Sequence, residues 1–173
     1  MLDKNLLLVD IGGTNIRYAY SNIGDSGFVS ENKAELDSLN DFDNLMSVLL
    51  AESDVKNIVF SVAGPKVNNS IKMTNRNFEI DADEIRKRFN LESCYLLNDW
   101  ESIGYSIRTF SENDFDNFKE GEPFNDTFLV IGPGTGLGAS VISGNNVIAT
   151  EIGNTNLGLS LIHISEPTRR CYI

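Results

Sequence analysis

The most constraining feature of the sequence is a short apolar run that ends in a carboxylate and a glycine turn. Residues 6–17 read LLLVDIGGTNIR, so Asp10 and Ile11 stand before two glycines, a threonine and the start of a second apolar stretch. A strand, a tight turn and a returning strand predict a β-hairpin. Glycines leave the backbone N–H groups of such a turn open to close approach by phosphate, because no Cβ blocks it.

A second glycine-rich turn lies in residues 128–142, which read FLVIGPGTGLGASVI. Neither turn matches the GxxxxGK[ST] phosphate loop, and neither opens a helix as a dinucleotide-binding turn does. Each turn alone is explained equally well as an ordinary hairpin without a ligand. Two turns of this kind in one chain favour a pair of phosphate-binding loops.

The remaining pattern predicts an α/β fold with a mixed sheet and flanking helices. Strands are expected at residues 5–11, 15–21, about 27–31, 57–63 and 94–98, and helices at 40–53, 81–89 and 99–110. Asn40 or Asp41 is expected to cap the first helix and Asp81 the second, where Glu84 completes a capping box. Three strands followed by alternating helices and strands are typical of an α/β domain.

Four segments are predicted along the chain. Residues 1–110 form a small amino-terminal α/β domain, and the acidic, aperiodic residues 111–126 form a linker. Residues 127–158 repeat the strand, glycine turn and strand, and are expected to begin a second, related domain that is incomplete. Residues 159–173 form the fourth segment.

The charge balance excludes two classes of partner. The chain has 14 Lys and Arg against 25 Asp and Glu, for a net charge of -11. Nucleic acid or an anionic membrane would require a basic surface, so we expect neither as a partner. No apolar run has the length of a membrane span or a signal peptide, and the two cysteines, Cys94 and Cys171, lack metal-ligand spacing. We expect a cytoplasmic protein in which Cys94 is a buried core thiol.

The two glycine turns together resemble the paired phosphate loops of the sugar-kinase, actin and chaperone ATPase superfamily. Between them, SVAGPKVNNSIKMTNRNFEID and LLNDWESIGYSI resemble the bacterial-type glucokinase family. The resemblance runs from about residue 6 to residue 156. It implies a ribonuclease H-like, actin-type ATPase fold, in which ATP and a sugar bind in a cleft between two domains.

The resemblance also implies nucleotide-site roles for the glycine turns. Asp10 would orient Mg²⁺ through a water molecule beside the transferred phosphate. The cofactor-binding residues would be Asp10, Ile11, Gly12, Gly13, Thr14 and Asn15 in the first turn and Gly134, Thr135 and Gly136 in the second. Arg17 would either neutralise developing charge or form a salt bridge with Asp10.

On the sugar side, Asn98 and Asp99 lie where a predicted strand gives way to a helix. Asp is among the best N-cap residues, so capping alone would explain Asp99. The resemblance implies instead that Asp99 is the catalytic base that takes the proton of the sugar C6 hydroxyl. Asn98, Asp99, Glu151 and Asn154 would bind the sugar. The family usually has histidine where Asn154 stands, which leaves the exact hexose open.

The last residues, 159–173, match nothing in the family. LSLIHISEPTR corresponds in frame to the read-through adapter of transposon-based sequencing libraries, so we expect an adapter-derived tail. The natural protein would then continue beyond Gly158. We expect this fragment to be inactive alone and to expose an apolar face of its last strands.

The function implied is that of a glucokinase, which converts glucose and ATP to glucose 6-phosphate in glycolysis. Alternatives are another hexose or amino-sugar kinase, a sugar-sensing regulator on the same scaffold, and an actin-like structural ATPase. Asn98 and Asp99 with Glu151 favour a small hydroxylated substrate over the structural ATPase. Only residues 1–5 precede the first strand, which leaves no helix-turn-helix for a regulator. A homodimer is expected of the complete protein.

Overall fold

The computed structural model describes residues 3–12, 15–35, 38–51, 53–73, 79–119, 121–122, 125–133 and 137–150. The strands are β1 (Leu6–Ile11), β2 (Asn15–Ser21), β3 (Val29–Glu35), β4 (Asn57–Val62), β5 (Lys66–Val67), β6 (Ser70–Lys72), β7 (Glu79–Asp81), β8 (Ser93–Asn98), β9 (Thr127–Pro133), β10 (Leu137–Ser143) and β11 (Asn146–Thr150). The helices are α1 (Leu39–Ala51), α2 (Ala82–Arg88) and α3 (Asp99–Ser106), with 3₁₀ turns at Ile107–Thr109 and Glu112–Asp114.

The main sheet has five strands in the order β3-β2-β1-β4-β8. β1 is antiparallel to β2 but parallel to β4, and β4 is parallel to β8, so the predicted mixed sheet is confirmed. Ile11 pairs with Val62, and Val62 pairs with Asn98. The carboxyl ends of three parallel strands therefore meet at one edge of the sheet, where the predicted site residues follow them.

One face of the main sheet forms the hydrophobic core with α1 and α2. Leu7, Val9 and Ile11 alternate along β1 and are at most 3% exposed, as strand periodicity requires. From α1, Phe42 and Met46 lie four residues apart on one helical face and are buried against this sheet. The opposite residues of β1 consequently face away from the core.

The beginnings of α1 and α2 differ from each other in how well the sequence predicted them. Asp81 caps α2 as predicted, with its Oδ1 accepting from the N–H of Glu84 at 2.9 Å. For α1 the predicted cap at Asn40 or Asp41 is wrong, because Ser38 Oγ accepts from the N–H of Asp41 at 3.2 Å. The helix starts at Leu39, one residue before the predicted boundary, which moves the capping position to Ser38.

A second sheet is antiparallel, in the order β11-β10-β9. Its β9–β10 hairpin is the predicted strand, glycine turn and strand, and α3 packs against β10 and β11. On one face of this sheet Leu129, Ile131 and Ile148 are each more than half exposed. This is the apolar face that the sequence predicted for these strands.

A third, small sheet of β5, β6 and β7 follows β4. No pattern in the sequence predicts these strands, which have only two or three residues each. The predicted division into 1–110, 111–126 and 127–158 stays a prediction, and residues 159–173 lie outside the described residues. None of the helices in the described ranges is long and apolar enough to cross a membrane.

Candidate active site at the carboxyl ends of the parallel strands

Asp10 projects from the open face of the main sheet, near the end of β1. Its neighbours Val9 and Ile11 are buried in the core, and the alternation of a strand turns the Asp10 side chain the other way. Asp10 is exposed and pairs in register with Arg17 of β2. The two groups form no ion pair within the described residues, so the expected alternative of an Asp10–Arg17 salt bridge is wrong. A salt bridge between two exposed side chains contributes little to the free energy of unfolding.

The first glycine turn is closed at its base by one hydrogen bond. The N–H of Gly12 donates to the carbonyl of Asn15 at 3.0 Å. A Cβ built on Gly12 would lie 3.7 Å from that same oxygen, which is an ordinary contact. Packing within the described residues therefore does not require glycine at this position. The Ile11 side chain is buried in the core, which turns it away from any ligand at the turn.

Asn98 caps α3, so the alternative in which Asp99 is the N-cap is wrong. Asn98 Oδ1 accepts from the N–H groups of Trp100 at 2.8 Å and Glu101 at 3.3 Å. The Glu101 carboxylate accepts in return from the N–H of Asn98 at 3.2 Å, which completes a capping box. Asn98 Nδ2 donates to the carbonyl of Gly64 at 2.8 Å. A primary amide carries two N–H donors, and among the described residues only Gly64 accepts from the Asn98 amide. Asn98 is 3% exposed, and its predicted sugar contact stays a prediction.

With the cap made by its neighbour, Asp99 is the first residue of the helix and its carboxylate is half-buried. Burial raises the pKa of Asp99 above its ordinary value, and the Asp10 carboxylate raises it further. Backbone N–H groups oppose this rise; that of Trp100 donates to Asp99 Oδ1 at 2.9 Å. The fold thus brings two carboxylates from distant parts of the chain to one place. A carboxylate with a raised pKa is a stronger base.

A salt bridge that the sequence did not predict supports the cap of α3. Lys66 Nζ lies 3.3 Å from Glu101 Oε2, the same oxygen that accepts from Asn98. Gly64, two residues before Lys66, has φ +149°, and a Cβ there would lie 2.9 Å from the carbonyl oxygen of Lys72. The spacing of Asn98 and Glu101 is a capping-box signal in the sequence, whereas no local pattern indicates the contact with Lys66.

A groove with a volume of about 340 Å³ runs along the open face of the main sheet. Leu8, Val59 and Leu97, one from each of the three parallel strands, contribute to its mainly apolar wall. Asp10 and Arg17 also line it. The candidate site therefore adjoins an apolar surface as well as the two carboxylates.

Of the predicted site residues, the structure brings together Asp10, Asn98 and Asp99 at one edge of the main sheet, near Gly12 and Asn15. The others lie outside the described residues: Gly13, Thr14, Gly134, Thr135, Gly136, Glu151 and Asn154. Their roles stay predictions.

Comparison with known proteins identifies relatives over most of the chain. The family model named Glucokinase matches residues 7–161. The glucokinase of Nostoc punctiforme is 30% identical over 162 residues, covering 87% of this chain and 48% of that protein. The glucokinase of Colwellia psychrerythraea is 32% identical over 150 residues, covering 81% of this chain and 44% of that protein. The chain thus spans about half the length of the curated relatives that it matches.

Two solved glucokinase structures are similar to this chain in fold. A glucokinase from an Antarctic psychrotroph has a TM-score of 0.70 at 25% identity, over 88% of this chain and 52% of that one. A glucokinase from Balamuthia mandrillaris in complex with glucose shares the fold with a TM-score of 0.67 at 21% identity, over 96% of this chain and 53% of that one. The predicted fold class, a ribonuclease H-like, actin-type α/β fold with an incomplete second domain, agrees with these likenesses. The chain belongs to the glucokinase family.

Proposed function

We propose that the full-length protein is an ATP-dependent glucokinase that phosphorylates glucose to glucose 6-phosphate in the cytoplasm. The observation that carries the proposal is the half-buried Asp99 carboxylate at the start of α3, whose pKa is raised by burial and by the charge of Asp10. Family membership supports the same reaction class. The proposal concerns the full-length protein because this chain spans about half of its relatives.

Asp99 is the proposed catalytic base. Its carboxylate accepts the proton of the sugar C6 hydroxyl as the hydroxyl oxygen bonds to the γ-phosphorus and the bond to ADP breaks. The hydrogen bond from the Trp100 N–H to Oδ1 orients the carboxylate. Phosphoryl transfer depends mainly on positioning and charge stabilisation, so a single well-placed base is enough on the protein's side.

Asp10 is the residue that would hold Mg²⁺, through water. Its carboxylate is exposed on the open face of the sheet and close enough to Asp99 to raise the pKa of that group. This fits Mg²⁺, which keeps several waters and binds one or two carboxylates together with substrate phosphates. When bound, the ion supplies charge stabilisation at the transferred phosphate.

The nucleotide phosphates are proposed to bind the two glycine turns, residues 11–15 and 134–136. Asn98, Glu151 and Asn154 are proposed to bind sugar hydroxyls, and glucose is the proposed substrate because the relatives include a glucokinase structure in complex with glucose. Asparagine at position 154 can hydrogen-bond a hydroxyl but cannot titrate as histidine does. That residue is the specific reason to test a related hexose or an amino sugar beside glucose.

The test is a substrate panel on the full-length protein, cloned from the source DNA to its stop codon. Glucose, mannose, glucosamine and N-acetylmannosamine are assayed with ATP and Mg²⁺, with Asp99→Asn as the matched control. We expect glucose to give the highest kcat/KM and Asp99→Asn to lose activity on every sugar. Preference for an amino sugar would replace glucose with the alternative substrate, and activity that survives Asp99→Asn would remove Asp99 as the base.

A further inference from the structure

Helix α3 lies on the second sheet through Trp100 and Gly104, and Arg108 follows at the same four-residue spacing in the 3₁₀ turn after the helix. This spacing puts side chains on one helical face. A Cβ on Gly104 would lie 2.5 Å from Val147 Cγ1 and 2.8 Å from Ser140 Oγ, so the helix backbone approaches the sheet closely here. Beyond the helix, Arg108 Nη1 donates to Asn145 Oδ1 at 2.8 Å, at the turn between β10 and β11.

At the amino-terminal end of α3, the Trp100 indole occupies the space left by two absent side chains. Gly132 and Gly138 are direct partners across β9 and β10, so side chains at both positions would project to the same face. A Cβ on Gly138 would overlap the indole at Nε1 and Cε2, and a Cβ on Gly132 would overlap it at Cη2. Both glycines lie outside the positive-φ range that favours glycine, so the indole, not the backbone, explains their lack of a side chain.

We propose that Trp100 is a positioning residue that fixes the helix of the catalytic base to the facing ends of β9 and β10. The proposal rests on the proposed function, because it takes Asp99 as the base. Asp99 and Trp100 are consecutive, and the Trp100 N–H bonds to the Asp99 carboxylate. The indole of the same residue is seated on the hairpin that flanks residues 134–136.

The Trp100 contact connects α3, which carries Asp99, to the strand ends on either side of residues 134–136. Gly132 precedes Pro133, where β9 ends, and Gly138 follows Leu137, where β10 begins. An indole held between these strand ends sets their distance from the amino terminus of α3. If residues 134–136 bind phosphate as predicted, the indole sets how far that phosphate lies from Asp99. Small errors in such distances cost large factors in rate.

The experiment is a double-mutant cycle of Trp100→Ala and Gly138→Ala in the full-length protein, with Trp100→Phe as the conservative variant. A Cβ at position 138 should displace the indole, so Gly138→Ala should lower kcat at least about tenfold with a smaller change in the KM for the sugar. In the Trp100→Ala background the same substitution should change kcat by less than about threefold, because the clash is gone. Trp100→Phe should retain most of the activity.

The outcomes separate a positioning role from simple packing. Equal losses from Gly138→Ala in both backgrounds, or a normal kcat for Trp100→Ala, would overturn the proposal. A lower melting temperature with an unchanged kcat in every variant would assign the contact to stability alone and overturn it as well.

A second readout does not depend on activity. Trp100 is the only tryptophan of the 173-residue chain, and in the full-length protein the difference between the emission of the unsubstituted protein and that of Trp100→Phe isolates its signal. Gly138→Ala should shift the emission to the red and increase quenching by acrylamide, while Gly12→Ala, the control, should do neither. Unchanged quenching in Gly138→Ala would refute the seating itself. If quenching changes but the unsubstituted full-length protein phosphorylates no sugar, the proposed function fails and the base-positioning role fails with it, while the seating stands.

Discussion

The two glycine hairpins have nearly the same sequence pattern, yet their glycines differ in what requires them. In the first hairpin, a Cβ on Gly12 would meet only one backbone oxygen at an ordinary contact distance. In the second, Gly132 and Gly138 are both covered by the Trp100 indole. Packing within the described residues therefore does not require glycine at position 12, and the phosphate contact predicted for it stays a prediction. Glycine on either side of the second turn is needed to receive a side chain from another element.

The largest expected effect is at Asp99, which is influenced by Asp10 of the first hairpin and is followed by Trp100, the residue that packs on the second hairpin. Asp99→Asn removes the proposed base but keeps the shape of the side chain and the cap by Asn98. We expect kcat to fall by about 10²- to 10⁴-fold, the usual contribution of a general base. The KM values and the melting temperature should change little. Initial rates at saturating glucose and ATP measure the loss, and an Asp99→Asn enzyme with a normal kcat would contradict it.

The pH dependence of the reaction tests the neighbourhood of Asp10 and Asp99. Burial and the Asp10 charge raise the pKa of Asp99, so activity should rise with pH through a value above that of an ordinary aspartate, as the base loses its proton. Asp10→Asn removes the neighbouring negative charge, so the pKa of Asp99 should fall. Because Asp10→Asn also removes the proposed Mg²⁺ residue, the acidic limb of kcat/KM is measured in the unsubstituted protein, and the titration of the Asp99 carboxyl is followed by NMR in both proteins without Mg²⁺. An Asp99 pKa that stays in place would show that Asp10 does not act on Asp99.

The paired substitutions Gly138→Ala and Gly12→Ala compare the hairpins directly. A Cβ at position 138 must displace the indole, and overpacking of this kind typically costs about 1–3 kcal/mol of unfolding free energy. Gly12→Ala should leave the unfolding free energy within about 0.5 kcal/mol, as for substitutions that disturb no packing. It should nevertheless weaken ATP binding if the first turn holds phosphate. Denaturant titration measures the unfolding free energy of the two variants, and nucleotide titration measures their affinity for ATP. Equal destabilisation by the two substitutions would contradict the difference between the hairpins.

The smallest expected effect is at the cap of α3. Glu101→Gln keeps a side-chain oxygen that can accept from the Asn98 N–H but weakens the bond to Lys66. We expect a loss of about 0.5–1.5 kcal/mol of unfolding free energy, the range for a helix cap and a partly buried ion pair. Lys66→Met is the matched variant, because it removes the other partner of the salt bridge with Glu101. Additive losses in the double variant would mean that the two residues are not coupled.

Much of the fold could be predicted because its signals are local. The alternation of Leu7, Val9 and Ile11 indicates a half-buried strand, and Asp81 before α2 indicates a cap. Asn98 and Glu101 also have the spacing of a capping box. The sequence alone did not single out Asn98, because the adjacent Asp99 is an equally good N-cap residue. The strands of the small third sheet are too short to produce a periodic pattern.

The arrangement around the candidate site was harder to predict, because it is made by contacts between distant parts of the chain. Lys66 meets Glu101 across 35 residues, and the indole of Trp100 meets glycines more than thirty positions away. Each of these residues has an ordinary local explanation, as a surface lysine, a core aromatic or a turn glycine. Only the packing of α3 between two sheets turns them into one assembly.

That packing has a consequence for the order in which the molecule gains and loses structure. An isolated helix of eight residues is too short to be stable in water, so α3 owes its order to the sheets on either side of it. The second sheet, β11-β10-β9, in turn packs on α3, and much of its other face is open to solvent. We expect the main sheet with α1 and α2 to keep its structure longest during unfolding. The amide hydrogens of α3 and of the second sheet should exchange with solvent together. The proposed base and the facing strands β9 and β10 would then become ordered in a single cooperative step of folding.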